Sequence, residues 1–330
     1  MTTVEEYLML GYRIYYYFYL GTSITLQLFL LFIIINTKTK LLVEMRIYLI
    51  NTLILQMIIC SMATCLQSRI VPNRNTVSLL CLGPCRYYGA QFCQHIFELL
   101  QTAHIACATS LILAFYYRYK LLKIGSVKKT TRYLHFSISY IVPLLALGCS
   151  QLAPSDLDVV KDEVIKLHPT YNVEQYAIIG YSGIYTAGGI LNQVMYALAV
   201  YASPIIAIVY RRKILNLLNT SQASKLERID QSKSMIRGLT IQTLIPIVAY
   251  IPILTFYGIA TYADFNSIII EFIISPTTII YTMTDPILTI YYVLPYRRVV
   301  KRLFSKPKTG SRRFSLFHSE TNTVFTVPHT

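Results

Sequence analysis

Charge is scarce in this chain. Only 14% of its 330 residues are Asp, Glu, Lys or Arg, against 54% apolar. Soluble domains carry about 25% charged residues, and a soluble protein this greasy would expose very large apolar patches. A soluble α/β enzyme with a rich core is excluded because the apolar residues run in long blocks, not short buried strands. No CxxC pair and no Cys/His zinc spacing occurs among the seven cysteines, which argues against a metal framework. Motifs of the GxSxG, HExxH and P-loop kinds are missing, as is a paired-carboxylate constellation, so no enzyme chemistry and no cofactor is expected. A glycine-rich channel filter is absent too. The two halves carry no matching pair of Gly/Pro-broken segments of the transporter type. The first run follows MTTVEEYLML, which is acidic, and no small-residue cleavage site follows it. It therefore reads as a spanning anchor and not as a removable signal.

What is present is a series of membrane-length apolar runs, each near the ~20 residues a spanning helix needs. Seven are expected: about Tyr15–Ile35, Ile47–Leu66, Cys93–Tyr117, Tyr133–Leu152, Tyr185–Tyr210, Leu239–Ala260 and Ser267–Leu294. The fold class is an all-α membrane protein, a seven-helix bundle. The net charge of +15 does not point to nucleic acid, because the basic residues alternate with those runs and suit an anionic cytoplasmic leaflet. If alternate loops from Asn36–Arg46 onward are cytoplasmic, they hold 24 of the 30 basic residues. The other side holds Arg13, Arg69, Arg74, Arg86, Lys161 and Lys166, together with most of the acids. The positive-inside rule then predicts an outer N-terminus and an inner C-terminus. The Asn219-Thr220-Ser221 sequon falls on the inner side and is expected to stay unglycosylated. After Pro295, the apolar Val299, Val300, Leu303 and Phe304 alternate with Arg297, Arg298, Lys301 and Arg302. This predicts a short amphipathic helix in the headgroup plane. Residues 1–304 thus form one receptor-sized domain, and 305–330 a polar tail expected to be disordered.

Ionisable and amide groups within spans are costly and mark function by default. The third span is the richest. Gln91, Gln94, His95, Glu98, Gln101, Thr102 and Thr109 fall on one side of it, by the 3.6-residue period. This face is expected to line a ligand cavity, joined by Asn192 and Gln193 of the fifth span and Gln242 of the sixth. The alternative is that the same groups glue helices together by hydrogen bonds. His104 lies on another face and is expected to serve packing. Asp285 precedes Pro286, and the carboxylate suits the backbone groups a proline frees. Cys81, Cys85, Cys93 and Cys149 sit at or beyond the outer face, where disulfides persist. One bridge is expected: Cys85–Cys149 or Cys93–Cys149 if long-range, Cys85–Cys93 if local.

Three blocks carry a family likeness. The stretch Leu82–Leu122 contains Gly83, Pro84, Cys85, Arg86 and Tyr87, then Cys93, and ends in Phe115, Tyr117, Arg118 and Tyr119. It closely resembles the nematode seven-transmembrane chemoreceptors of the Srd family. GLTIQTLIPIVAYIP, with Leu239, Thr240, Gln242 and Pro246, is a second match. DPILTIYYVLPYRR, with Pro286, Pro295, Tyr296 and Arg297, is the third. The resemblance implies a G-protein-coupled, GPCR-like chemoreceptor in the plasma membrane of sensory cilia, whose partners are a small-molecule ligand, a heterotrimeric G protein and the bilayer. Arg118, Tyr119, Arg211, Arg212, Asp285, Pro286, Pro295, Tyr296 and Arg297 would then form its switch and G-protein-facing end. Two departures matter. Asp285 stands where the family usually has asparagine, and Tyr117-Arg118-Tyr119 lacks the acid of rhodopsin-like receptors. With no tryptophan anywhere, a helix-six Trp-x-Pro switch is also missing. The rival readings are a seven-helix ligand-gated channel, whose inner N-terminus the loop charges oppose, and a transporter.

Overall fold

The computed structural model describes residues 2–37, 40–73, 75–124, 127–220 and 267–304. Between 221 and 266 it describes only 234, 236–238, 240–241, 244–245, 248, 255 and 259. Long helices dominate: α1 (Thr2–Asn36), α2 (Lys40–Leu66), α3 (Ala90–Ile124), α4 (Lys129–Ser139), α5 (Ile141–Leu152), α6 (Leu157–Leu167), α7 (Ala187–Thr220), α8 (Ile268–Ile279), α9 (Tyr281–Tyr292) and α10 (Leu294–Phe304). Among the described residues, six helical stretches are long and apolar enough to cross a membrane. They match the first five expected spans and the seventh. The expected sixth span lies mostly outside the described residues; those described within it are helical.

The observed spans are longer than the apolar runs suggested. α1 begins at Thr2, α3 runs on to Ile124 and α7 to Thr220. Polar residues at span ends reach water without ending the helix, so hydropathy marks the lipid-facing part only. The fourth span breaks at Tyr140 into α4 and α5, and the seventh breaks at Ile280 into α8 and α9. Pro143 and Pro286 stand just beyond these breaks, where missing amide donors loosen the ladder. α10 follows as the amphipathic helix expected, with Leu303 and Phe304 exposed.

α3 is the central strut. It packs against α2, α5 and α7, while α1 packs on α2 and α9. One apolar cluster fills the end where the chain begins, and a second, around Tyr48, Phe115, Tyr117 and Tyr296, fills the opposite end. Gly188 lets α7 approach α5: a Cβ there would lie 2.2 Å from the Leu152 carbonyl oxygen.

The all-helical expectation needs one amendment. A three-stranded antiparallel sheet, β1 (Ser68–Pro72), β2 (Val77–Cys81) and β3 (Ala177–Tyr181), closes the end where the chain begins. β1 and β2 form a hairpin between the second and third spans. β3 comes from the loop between the fourth and fifth and pairs Ile178 with Leu80. α6 lies on the sheet through buried Val160 and Val164, so both sheet faces are covered. Asp156 caps α6, accepting from the backbone N–H of Asp158 and Val159 at 3.2 and 3.4 Å, as N-caps do. Gly180 has φ +145°, and a Cβ on it would fall 1.8 Å from the Val77 carbonyl oxygen; only glycine fits.

Candidate functional site

Gln94, Glu98 and Gln101 turn inward from α3, within about 60° of one another around the helix. Glu98 is buried. Its Oε1 accepts from Gln94 Nε2 at 3.2 Å, and its Oε2 accepts from Gln151 Nε2 of α5 at 2.5 Å. His95 Nδ1 approaches Oε2 only to 3.5 Å. One amide donor from the preceding turn of α3 and one from α5 thus meet one carboxylate away from water, which is how a buried acid is satisfied.

The roof of this face is β3. Gly180 N–H donates to Gln94 Oε1 at 3.0 Å, and the Tyr181 hydroxyl donates to Gln101 Oε1 at 3.1 Å. The Asn192 side chain of α7, close to Tyr181, is buried. The third span, the fourth, the fifth and the sheet therefore converge on one polar spot. Three of the expected lining residues face elsewhere. His95 is exposed, about 100° round the helix from Gln94, and Gln193 is exposed beside buried Asn192. Gln91 is exposed too. Thr102 and Thr109 bond back to their own helix, at the carbonyls of Glu98 and Ala106. Gln242 lies outside the described residues.

Below this face the bundle interior is polar. Tyr19 and Thr282 share a hydrogen bond of 2.5 Å, and Cys60 lies 3.1 Å from the Tyr19 hydroxyl. Gln27 Nε2 donates to the Thr282 carbonyl at 3.1 Å. Gln56 Nε2 donates to Asp285 Oδ2 at 2.6 Å, so the carboxyl before Pro286 ties the seventh span to the second. His104 Nδ1 and the Tyr281 hydroxyl are 3.0 Å apart; His104 is a helix-to-helix tie.

At the opposite end, Arg118 is only 1% exposed, so it is part of the packed interior, not of the presented surface. Tyr117 packs on Tyr48 at 4.7 Å, and Tyr119 faces Tyr210 at 6.0 Å. Arg211 and Arg212 are exposed; Pro295 and Tyr296 are buried, and Arg297 lies 5.8 Å over the Tyr291 ring.

Sequence reasoning missed a buried charge cluster. Arg69 of β1 is fully buried. Its Nη1 donates to Glu5 Oε1 of α1 at 2.8 Å, and its Nε donates to Glu271 Oε2 of α8 at 2.8 Å. Nη2 lies 2.7 Å from the same Oε2, an ion pair without hydrogen-bond alignment. Tyr176 bonds to both Glu5 and Arg69, and Tyr171 donates to Glu271 Oε1 at 2.8 Å. The guanidinium also sits 4.2 Å from the Tyr171 ring centre and 4.6 Å from Phe272. Burial alone would weaken the Arg69 cation, but Glu271 and the tyrosines push its pKa above the ordinary arginine value. Burial raises the Tyr171 and Tyr176 phenols well above theirs. The signal was in the sequence: Glu271 interrupts IIIEFII within the seventh span and needed a partner.

Of the bridges open to the four outer cysteines, the structure forms the local one, Cys85–Cys93. It ties the short 3-10 turn Pro84–Tyr88 to the top of α3. Cys81 is a buried free thiol and Cys149 a half-buried one. Burial lifts the Cys81 thiol above its usual range.

A bundle of apolar spans, closed at one end by its loops and polar along its axis, is the architecture of a serpentine membrane protein. Residues 12–302 match the family model described as serpentine type 7TM GPCR chemoreceptor Srd, and the chain belongs to that family. It is 43% identical to serpentine receptor class delta-50 of Caenorhabditis elegans, across 97% of this chain and 98% of that one. It is 34% identical to serpentine receptor class delta-51 of the same organism, across 92% and 90%. Serpentine receptor class delta-40 is 27% identical.

Proposed function

We propose that the chain is a plasma-membrane chemoreceptor of sensory cilia, N-terminus out and C-terminus in, that binds a small odorant or secreted metabolite against the α3 face. Binding favours one of two packings of the bundle, and the end bearing Arg211 and Arg212 receives a heterotrimeric G protein. Family membership supports the receptor class. The observation that carries the site is Glu98, a buried carboxylate whose two amide donors come from its own helix and from the fourth span, beneath a strand that bonds to its neighbours. A ligand with its own donors can replace those amides and move the elements that supply them. The basic, apolar-faced α10 is read as lying on the inner leaflet, with the tail beyond 304 in the cytoplasm.

The test is expression in cells reporting cAMP, cGMP and calcium, screened against volatile and secreted metabolites. Glu98→Gln should shift the concentration for half-maximal response while leaving surface expression intact. An unchanged response curve refutes the site. A ligand-evoked current that persists without G proteins refutes the coupling and favours a channel.

A further inference from the structure

The Arg69 cluster and the α3 face lie on opposite edges of the same small sheet. β1 carries Arg69 and pairs with β2, and β2 pairs with β3. β3 in turn bonds to Gln94 and Gln101 through Gly180 and Tyr181. Three strands joined by backbone hydrogen bonds move as a unit more readily than they part. At its Arg69 edge this unit is clamped to two helices far apart in sequence, by Glu5 of the first span and Glu271 of the seventh. Tyr171 and Tyr176, from the segment that leads into β3, close the clamp from the other side. At its β3 edge the unit rests on two neutral hydrogen bonds.

We propose that Arg69 is a positioning residue for the α3 face: it latches the sheet shut over Gln94, Glu98 and Gln101 by clamping Glu5 and Glu271. Its weight as a gate rests on the ligand site being that face; the latch itself does not. Among the described residues the cluster holds one cation and two carboxylates, so removal of Arg69 leaves two buried like charges facing each other. Removal of either carboxylate leaves a one-to-one pair. The order of damage is therefore fixed in advance, with Arg69→Met worst, Glu5→Gln mildest, and Arg69→Lys between them because lysine keeps the charge and loses the fork.

The experiment is amide hydrogen exchange on the full chain in lipid nanodiscs, read peptide by peptide and without ligand. Arg69→Met should speed exchange in 177–181 at least about tenfold relative to the parent, with α2 and α3 peptides unchanged, as local opening requires. Arg69→Lys should recover part of the protection, and Glu5→Gln should lose the least. Unchanged exchange in 177–181 overturns the latch. A rise of equal size across the spans also overturns it, because Arg69 would then hold the bundle together as a whole. The ligand response of Glu98→Gln is a separate measurement. A flat result there with an intact latch sinks the site and spares Arg69.

Discussion

The Gln56–Asp285 contact lends itself to a double-mutant cycle. Its 2.6 Å hydrogen bond joins side chains that are 1% and 7% exposed, on the second and seventh spans. Hydrogen bonds between helices in membranes average about 0.6 kcal/mol and reach about 1.7. A short bond to a carboxyl oxygen belongs at the upper end, so the predicted coupling is about 1–1.7 kcal/mol. The variants separate the causes. Asp285→Asn keeps an acceptor oxygen in the same place; its cost should stay below about 0.5 kcal/mol, less than a typical lost hydrogen bond. Asp285→Ala removes the acceptor and strands the Gln56 amide, whose Oε1 has no hydrogen-bond partner among the described residues. That should cost about 2–3 kcal/mol, the lost bond plus an unsatisfied buried donor. Unfolding of the parent, both single alanine variants and the double variant in mixed micelles measures the coupling. A value under about 0.3 kcal/mol, within the scatter of independent sites, refutes the reasoning, as does an asparagine variant as damaged as the alanine one.

Three further outcomes are expected. Cys85→Ser opens a bridge between residues 8 apart in sequence and should cost about 2–3 kcal/mol on the chain-entropy account; a reductant titration that leaves the melting temperature unmoved contradicts it. Gly180→Ala should abolish protection of the sheet, because its Cβ meets the Val77 carbonyl, whereas Gly148→Ala, with nothing within 4 Å, should be neutral in the same exchange measurement. His168 is lowered from its ordinary pKa chiefly by burial, with a further push from Arg69 against the pull of the Pro72 carbonyl. The folded state then binds fewer protons than the unfolded one below about pH 6.5. Its contribution to stability is complete above that pH and declines as pH falls toward the folded value, so melting curves at pH 7.5 and 5.5 should lie closer together in His168→Asn than in the parent.

The spans were legible because a helix in lipid must announce itself by length and hydropathy. The sheet was not. SRIVP and VSLLC are five-residue runs that hydropathy cannot tell from the ends of spans, and AIIGY pairs with VSLLC only after about a hundred intervening residues. On α3 the period-3.6 reading located Gln94, Glu98 and Gln101. It could not say how wide the buried arc is, because that depends on where α5, α7 and β3 sit. His95 and Gln91 fell just past its edge. Asn192 and Gln193 differ by one residue and face different media for the same reason.

Arg69 and Glu271 show what the missing step was. Counted by side, Arg69 is merely one of six outer basic residues, and its sign helps decide nothing. Counted by solvation, Glu271 in an apolar run demands a cation that can reach it. That cation has to come from the loops at its own end of the bundle, and arginine satisfies several acceptors at once through its fork. Glu5 joins because α1 starts well before its apolar stretch does, at Thr2. Two buried carboxylates on the first and last spans therefore require a basic residue on a segment lying between them, which is the position β1 takes up.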